Sequence, residues 1–415
     1  MNPSSSEIFV ARQPIFKRNK EVFAYELLFR SSLANFFDPS QVGGEQATSK
    51  VITSSFLLIG LPRLAGGKKV FVNFTEDLLL RGFPTLFPRH EIVVEILEDV
   101  RVSRQVLAAC EALVRRGYVM ALDDFLFGKN LLPLVGLARI IKFDIRQLSR
   151  EGLARQVATV LRHNPKLKLL AEKIETDGEF EYCKKLGFSL FQGYFFSRPK
   201  IVSGRDISGS KLHYLQILRL IQDENYNFEQ LATIITRDAS LAYKLLKYVN
   251  SAYFARAQEI SAIKGAVIML GENNLRQWLS LMMLSYIADD KPTELLRQTI
   301  IRGSFCEQIA GLISPQPADS GPFHTAGMFS LLPAMLDKNM ADILAEISLA
   351  AEVVEALLDR GDGMVTLALR LVIAYEKGEW QMAEEISRML RIDFAALPPL
   401  FARSLDHLEA FDVSA

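Results

Sequence analysis

IVVEIL (92–97), VMALDDF (119–125) and IIKFDI (140–145) decide the fold. Each is a short apolar run of strand length, and the segments between them, 103–117 and around 130–137, read as helices. The same rhythm extends in both directions. VFAYELLFR (22–30) and VFVNF (70–74) precede these runs, and LKLLAEKIE (167–175) follows them. Further helices are expected at 76–82, 149–162 and 177–186, with a last strand at 190–196. Alternating strand and helix predicts a parallel sheet covered by helices. Seven or eight strands favour a closed barrel over an open sheet. No GxGxxG follows a first strand, which removes the main reason to expect a dinucleotide-binding fold.

Each of the six quoted runs carries a residue that a buried strand ordinarily lacks. They are Glu26, Asn73, Glu95, Asp123 with Asp124, Lys142 with Asp144, and Glu172. Crowded buried carboxylates cost several kcal/mol each unless a cation neutralises them. In closed α/β barrels the functional residues sit at the C-terminal ends of strands, where Asn73, Glu95, Asp123 and Asp124 fall. Alternation places Glu26, Leu28 and Arg30 on one strand face, and Lys142 with Asp144 on another. Taken singly, each residue has a bland explanation: an edge strand for Glu26, a turn for Asn73, a cap for Asp123–Asp124, an ion pair for Lys142–Asp144. Taken together, they predict an oxygen-rich site for magnesium, manganese or calcium. The five histidines are scattered along the chain (His90, His163, His213, His324, His407), which argues against zinc. Lysine and arginine beside such a site suit phosphoryl chemistry, the hydrolysis of a phosphodiester by water activated at a metal.

The bulk composition allows this. A chain of 415 residues, 49% hydrophobic and 23% charged, supports two or three globular domains. Its 48 basic and 48 acidic residues cancel, so neither a nucleic-acid polymer nor a membrane is expected as a partner. Cys110, Cys183 and Cys306 form no CxxC pair, which suits free thiols in a reducing cytoplasm. MNPSSSE has no apolar run, so no signal peptide is expected.

The strand–helix rhythm stops at FFSRPKIVSGRDISGS (195–210), which reads as a linker. Beyond it the sequence predicts an all-α bundle, with helices at 212–222, 295–313, 325–339 and 364–380. Asn227 with Gln230 reads as a capping box, and Asp238 as the cap of SLAYKLLKYVNSAYF. Leu241, Leu245, Val249 and Ala252 share one face of that helix. Gly271 is expected to end a short helix over 265–270, and Pro333 to bend its helix or fall near an end. The domains expected are 1–200, a linker at 201–210, and 211–415 including a C-terminal helical extension.

YELLFR resembles the Glu-x-Leu-x-Arg signature of the EAL family of cyclic-di-GMP phosphodiesterases. The resemblance continues in order through QPI (13–15), VNF, VEILED, DDF, IKFD, AEKIET and FQGYFFSRP, over roughly residues 7–200. It implies a modified (β/α)8 barrel. It also implies Glu26, Asn73, Glu95 and Asp123 as metal ligands, with Asp124 serving a second metal. Lys142, Glu172 and Glu175 would be the catalytic group. Gln13, Leu28, Arg30 and Gln192 would contact substrate, with Glu98 and Asp144 in support. The implied cofactor is one or two Mg²⁺ or Mn²⁺ ions, with Ca²⁺ inhibitory. The chain departs from the family at DDFLFG, where Leu126 and Phe127 replace a Gly-Thr pair. That departure leaves a cyclic-di-GMP or protein binding module without catalysis as the alternative.

The helical half resembles the HDOD domain, through SLAYKLLKYVNSAYF, ISAIKGAVIMLGENNLRQWL and FCEQIA followed by TAGMFSLL. HDOD domains are relatives of the metal-dependent HD phosphohydrolases that lack the metal ligands, and no His-Asp doublet occurs here. The resemblance implies a regulatory or partner-binding helical module related to the HD bundle, with a protein partner and a homodimer as further expectations.

Overall fold

The computed structural model describes residues 9–30, 65–126, 128, 131–196, 209–223, 228–250, 260, 262–314, 320–347 and 349–410. The chain divides into two compact units. One comprises Met1–Phe196 with Tyr375–Trp380, the other Ser197–Ala374 with Gln381–Ala415.

The first unit is a closed barrel of eight strands in sequence order. They are β1 (Phe9–Lys17), β2 (Val22–Arg30), β3 (Lys69–Phe74), β4 (Ile92–Ile96), β5 (Val119–Leu122), β6 (Ile140–Asp144), β7 (Lys168–Glu172) and β8 (Leu190–Gln192). β2 to β8 run parallel, as the alternating rhythm predicts. β1 does not. An additional strand, ahead of the first one expected at 22–30, it pairs antiparallel with both β2 and β8. The cause is local: Lys17 N donates to Glu21 O at 2.8 Å and Lys20 N to Lys17 O at 3.0 Å, a tight turn with Lys20 at φ 64°. So short a connection can join only antiparallel strands.

One residue from each strand fills the barrel interior: Ile15, Ala24, Phe71, Val93, Ala121, Ile140, Leu170 and Leu190. Because side chains alternate along a strand, the next inward-facing residue lies two positions onward. On β2 to β8 that step gives Glu26, Asn73, Glu95, Asp123, Lys142, Glu172 and Gln192. β1 runs the other way, so its step is two positions back, to Gln13. An apolar layer is therefore followed by a polar layer at the C-terminal mouth of the parallel strands.

Helices Arg104–Arg115, Arg150–His163 and Asp177–Lys185 lie between strands, close to their expected spans. The last carries a full capping box, Thr176 with Glu179. The strand expected over 190–196 ends at Gln192, and Tyr194–Phe196 is a 3-10 turn. Gly193 makes that break. Its φ is 141°, and a Cβ there would lie 2.1 Å from Ile174 O. Only glycine permits this approach of the β7 and β8 ends.

The second unit is all helical among its described residues, with Ile263–Ile287 and Thr293–Ile313 its longest helices. Asp238 caps Ala239–Val249 through Ser240 N and Leu241 N, and Leu241, Leu245 and Val249 are buried. Ala252, Asn227 and most of the 195–210 linker lie outside the described residues. Gly271 (φ 71°, ψ 173°) is non-helical and breaks the span Ile263–Ile287 into two helices across a kink, so the first one ends where the sequence places its stop. The 325–339 helix is divided into Gly321–Phe329 and Leu332–Leu336, with Pro333 in the first turn of the latter, where its missing N–H costs nothing.

Candidate functional site at the barrel mouth

The polar layer closes around one cation. The Lys142 ammonium lies 2.9 Å from Asp123 Oδ1, 2.9 Å from Glu172 Oε1 and 3.4 Å from Glu26 Oε1, and it hydrogen-bonds Glu95 Oε1. Lys142 and Glu95 are fully buried. Four carboxylates face one ammonium, so one positive charge cannot neutralise them. Burial pushes the Glu95 and Glu172 carboxyls up despite the lysine beside them, and neighbouring acids add to the rise. Burial also works against Asp123. There the Lys142 charge, hydrogen bonds with Lys142 and Glu95, and the Asp124 N–H together hold the carboxyl below its ordinary value. The lysine itself is disfavoured by burial but held charged by the surrounding acids.

The opposite side of the layer is an amide chain. Gln192 Nε2 donates to Glu26 Oε2 at 2.6 Å and to Gln13 Oε1 at 3.0 Å, and Gln13 Nε2 donates to Tyr194 Oη at 3.3 Å. This chain fixes one oxygen of Glu26 and leaves the other facing Lys142.

The layer also contains buried oxygens with no hydrogen-bond partner: Asn73 Oδ1, Glu95 Oε2, Glu172 Oε2 and Gln192 Oε1. Unpaired buried acceptors are costly in a native fold and point to a missing electrophile. Asp123, Asp124 and Glu172 bring one oxygen each within 4.8 Å of one another. An excess of acids, orphaned oxygens and an all-oxygen donor set fit a hard divalent cation. Glu26, Glu95, Asp123 and Glu172 all converge on the Lys142 ammonium, and Glu95 also hydrogen-bonds Asp123.

The remaining expected residues lie around this centre. Asp124 is half-buried at φ 36°, with Gln147 Nε2 at 3.4 Å from its Oδ2, and burial followed by the Asp123 charge pushes its carboxyl up. Asp144 is one layer above Lys142 and receives Lys173 Nζ at 2.6 Å and Arg146 N at 2.8 Å. Glu175 lies to the side, ion-paired with Arg146 at 3.1 Å. Glu98 is exposed beyond β4. Leu28 and Arg30 are on β2, two and four residues after Glu26, and are paired in register with Ala11 and Phe9. Leu126 is exposed, and Phe127 lies outside the described residues.

Several participants escape a reading based on acids in strands. Lys173 and Tyr194 sit inside the AEKIET and FQGYFF segments, but neither interrupts an apolar run. Gln147 and Arg146 follow β6 in a turn with no pattern of its own. The position of Gln13 in the ring requires the reversed direction of β1.

The EAL domain family matches residues 68–199 and the HDOD domain family residues 212–392. The chain is 37% identical over 392 residues to the uncharacterized protein YuxH of Bacillus subtilis, covering 92% of this chain and 94% of that protein. It is 34% identical over 378 residues to the cyclic di-GMP phosphodiesterase CdgJ of Vibrio cholerae, covering 91% and 87%. Among solved structures, a Klebsiella pneumoniae BlrP1 calcium/cyclic-di-GMP complex aligns with a TM-score of 0.37 at 22% identity, over 48% of this chain and 58% of that one.

Proposed function

The chain belongs to the family of proteins that join an EAL domain to an HDOD domain, and from that premise we propose that its barrel is a divalent-metal-dependent phosphodiesterase opening cyclic di-GMP to linear pGpG. One observation carries the reading. A complete polar layer with orphaned buried oxygens closes the barrel at the end where such folds place their chemistry. The residues suited to hold metal are Glu26, Asn73, Glu95 and Asp123, with Asp124 serving a second position. When bound, Mg²⁺ or Mn²⁺ supplies a positive centre that polarises water and offsets phosphoryl charge.

The chain's own groups supply the rest. Glu172, whose carboxyl is raised by burial, is suited to take the proton from the attacking water. The Lys142 ammonium stabilises negative charge as it develops on the phosphoryl oxygens. Water oxygen bonds to phosphorus, the P–O3′ bond breaks, and the released 3′-oxygen takes up a proton. Gln13 and Gln192 orient Glu26. Arg146 positions Glu175, and Lys173 fixes Asp144 below the loop after β6. Leu28 and Arg30 are the residues of β2 proposed to contact the substrate, a guanidinium being suited to phosphate. Glu98 is a support beyond β4.

The module boundaries proposed are 1–200 for the barrel, 201–210 for the linker and 211–415 for the helical part. The helical part acts as a regulatory or partner-binding module, and a homodimer is part of the same proposal. Leu126, exposed in the loop after β5, favours a second reading in which the barrel binds cyclic di-GMP without cleaving it. Turnover of cyclic di-GMP by the full chain with Mg²⁺, beside binding measured in Ca²⁺, separates the two. Saturable binding with no pGpG would establish the second reading, and neither binding nor turnover would remove both.

A further inference from the structure

The five histidines are scattered in the sequence, but the helical unit brings two of them to one cavity. His324 and His407 line a space of about 360 Å³ together with Glu307, Gln277, Gln308 and Ser304. That volume lies within the range of small-molecule sites. Trp278, Leu281, Ile300 and Met328 supply apolar walls. The residues come from separate helices, and close backbone packing sets their register. A Cβ at Gly327 would lie 2.6 Å from Arg302 O and 2.8 Å from Gly303 Cα. This glycine contact holds Thr293–Ile313 against Gly321–Phe329, one turn from Glu307 on the first helix and from His324 on the second.

The lining chemistry restricts what can enter. Glu307 accepts from Gln277 Nε2 at 3.1 Å and faces His324 Nδ1 at 3.0 Å, so both its oxygens are engaged. Burial would raise its carboxyl, but these hydrogen bonds and the nearby histidines keep it low and ionised. No lysine or arginine is among the described lining residues. An anionic ligand would therefore meet a carboxylate with no compensating cation. Gln308 Nε2 is committed to Ser404 Oγ at 2.7 Å, while its carbonyl oxygen is buried with no hydrogen-bond partner. That oxygen awaits a donor, and His324, held by Glu307 through Nδ1, brings its Nε2 edge to the same wall.

We propose that this cavity is a binding site for a neutral nitrogen heterocycle of nucleobase size, carrying an N–H donor and no phosphate. The apolar walls cover the ring faces, and Gln308 with the His324 imidazole reads its edge. The site is independent of the barrel chemistry.

The test is ligand-observed saturation-transfer NMR on the full chain with adenine, hypoxanthine, cytosine and nicotinamide as probes. At least one should bind saturably, with a dissociation constant below about 1 mM. Gln308→Leu and, separately, Gln277→Leu should weaken it at least tenfold, with circular dichroism confirming each fold. Two substitutions are used so that one folded variant suffices. Adenosine monophosphate should bind at least tenfold more weakly than adenine. Absence of saturable binding by all four probes would overturn the proposal, as would binding unchanged in a folded variant or equal binding of the phosphorylated probe.

Discussion

Replacing Lys142 with methionine removes the ammonium that faces the buried Glu26, Glu95 and Glu172 and the half-buried Asp123, while keeping most of the side-chain volume. Removing one partner of a buried ion group costs about 3–5 kcal/mol, because the charges left behind stay desolvated. Lys142 and Glu95 are both fully buried, so solvent screening does not reduce this figure. At about 2–4 °C per kcal/mol for a unit of this size, Lys142→Met should lower the metal-free barrel transition by about 6–20 °C. Differential scanning calorimetry of the full chain reads it, and the barrel transition is identified as the one that Mg²⁺ shifts. The cation should restore the variant more than it raises the parent, because it replaces the missing charge and no longer competes with the ammonium. A metal-free transition unmoved by the substitution would refute the electrostatic reasoning. So would a fall that Mg²⁺ does not reverse.

Glu95→Gln should stabilise the metal-free barrel near neutral pH. The folded carboxyl is raised above its ordinary 4.5, so the parent is most stable below that value and loses stability as pH rises through the folded value. The glutamine variant should lack that loss, and equal pH slopes of stability in both proteins would contradict it. Glu26→Ala and Asp123→Asn should each abolish cyclic di-GMP hydrolysis with the fold intact, and parental turnover in either would remove it from the site. Gly193→Ala should destabilise the barrel by more than about 2 kcal/mol, since the new methyl overlaps Ile174 O in a backbone conformation that disfavours side chains. A midpoint of denaturation within error of the parent would contradict it. Gly327→Ala should cost about 1–3 kcal/mol by forcing two helices apart, and it should weaken any ligand of the helical cavity.

The barrel was legible because its chemistry interrupts its own strands. An acid, amide or lysine within an apolar run is conspicuous at Glu26, Asn73, Glu95, Lys142 and Glu172, and the step of two residues then places all of them on one layer. β1 was not legible as a strand, and its direction was not legible either. FVARQPIFK has no feature that separates a hairpin partner from a further parallel strand, and the deciding turn is only a few residues long. The end of β8 was missed for a related reason: Gly193 is a single residue whose φ answers to a contact with Ile174, distant in sequence. The position of Lys142 between the acids is likewise a property of the closed ring. The helical cavity was invisible because Glu307, His324 and His407 occupy three helices, and nothing in their spacing links them.

The most direct test of the central claim is turnover of cyclic di-GMP by the full chain, followed by separation of products. The account predicts linear pGpG with Mg²⁺ or Mn²⁺, none after chelation, and none with Ca²⁺ alone. Cyclic di-GMP left intact by metal-loaded, folded protein would contradict it.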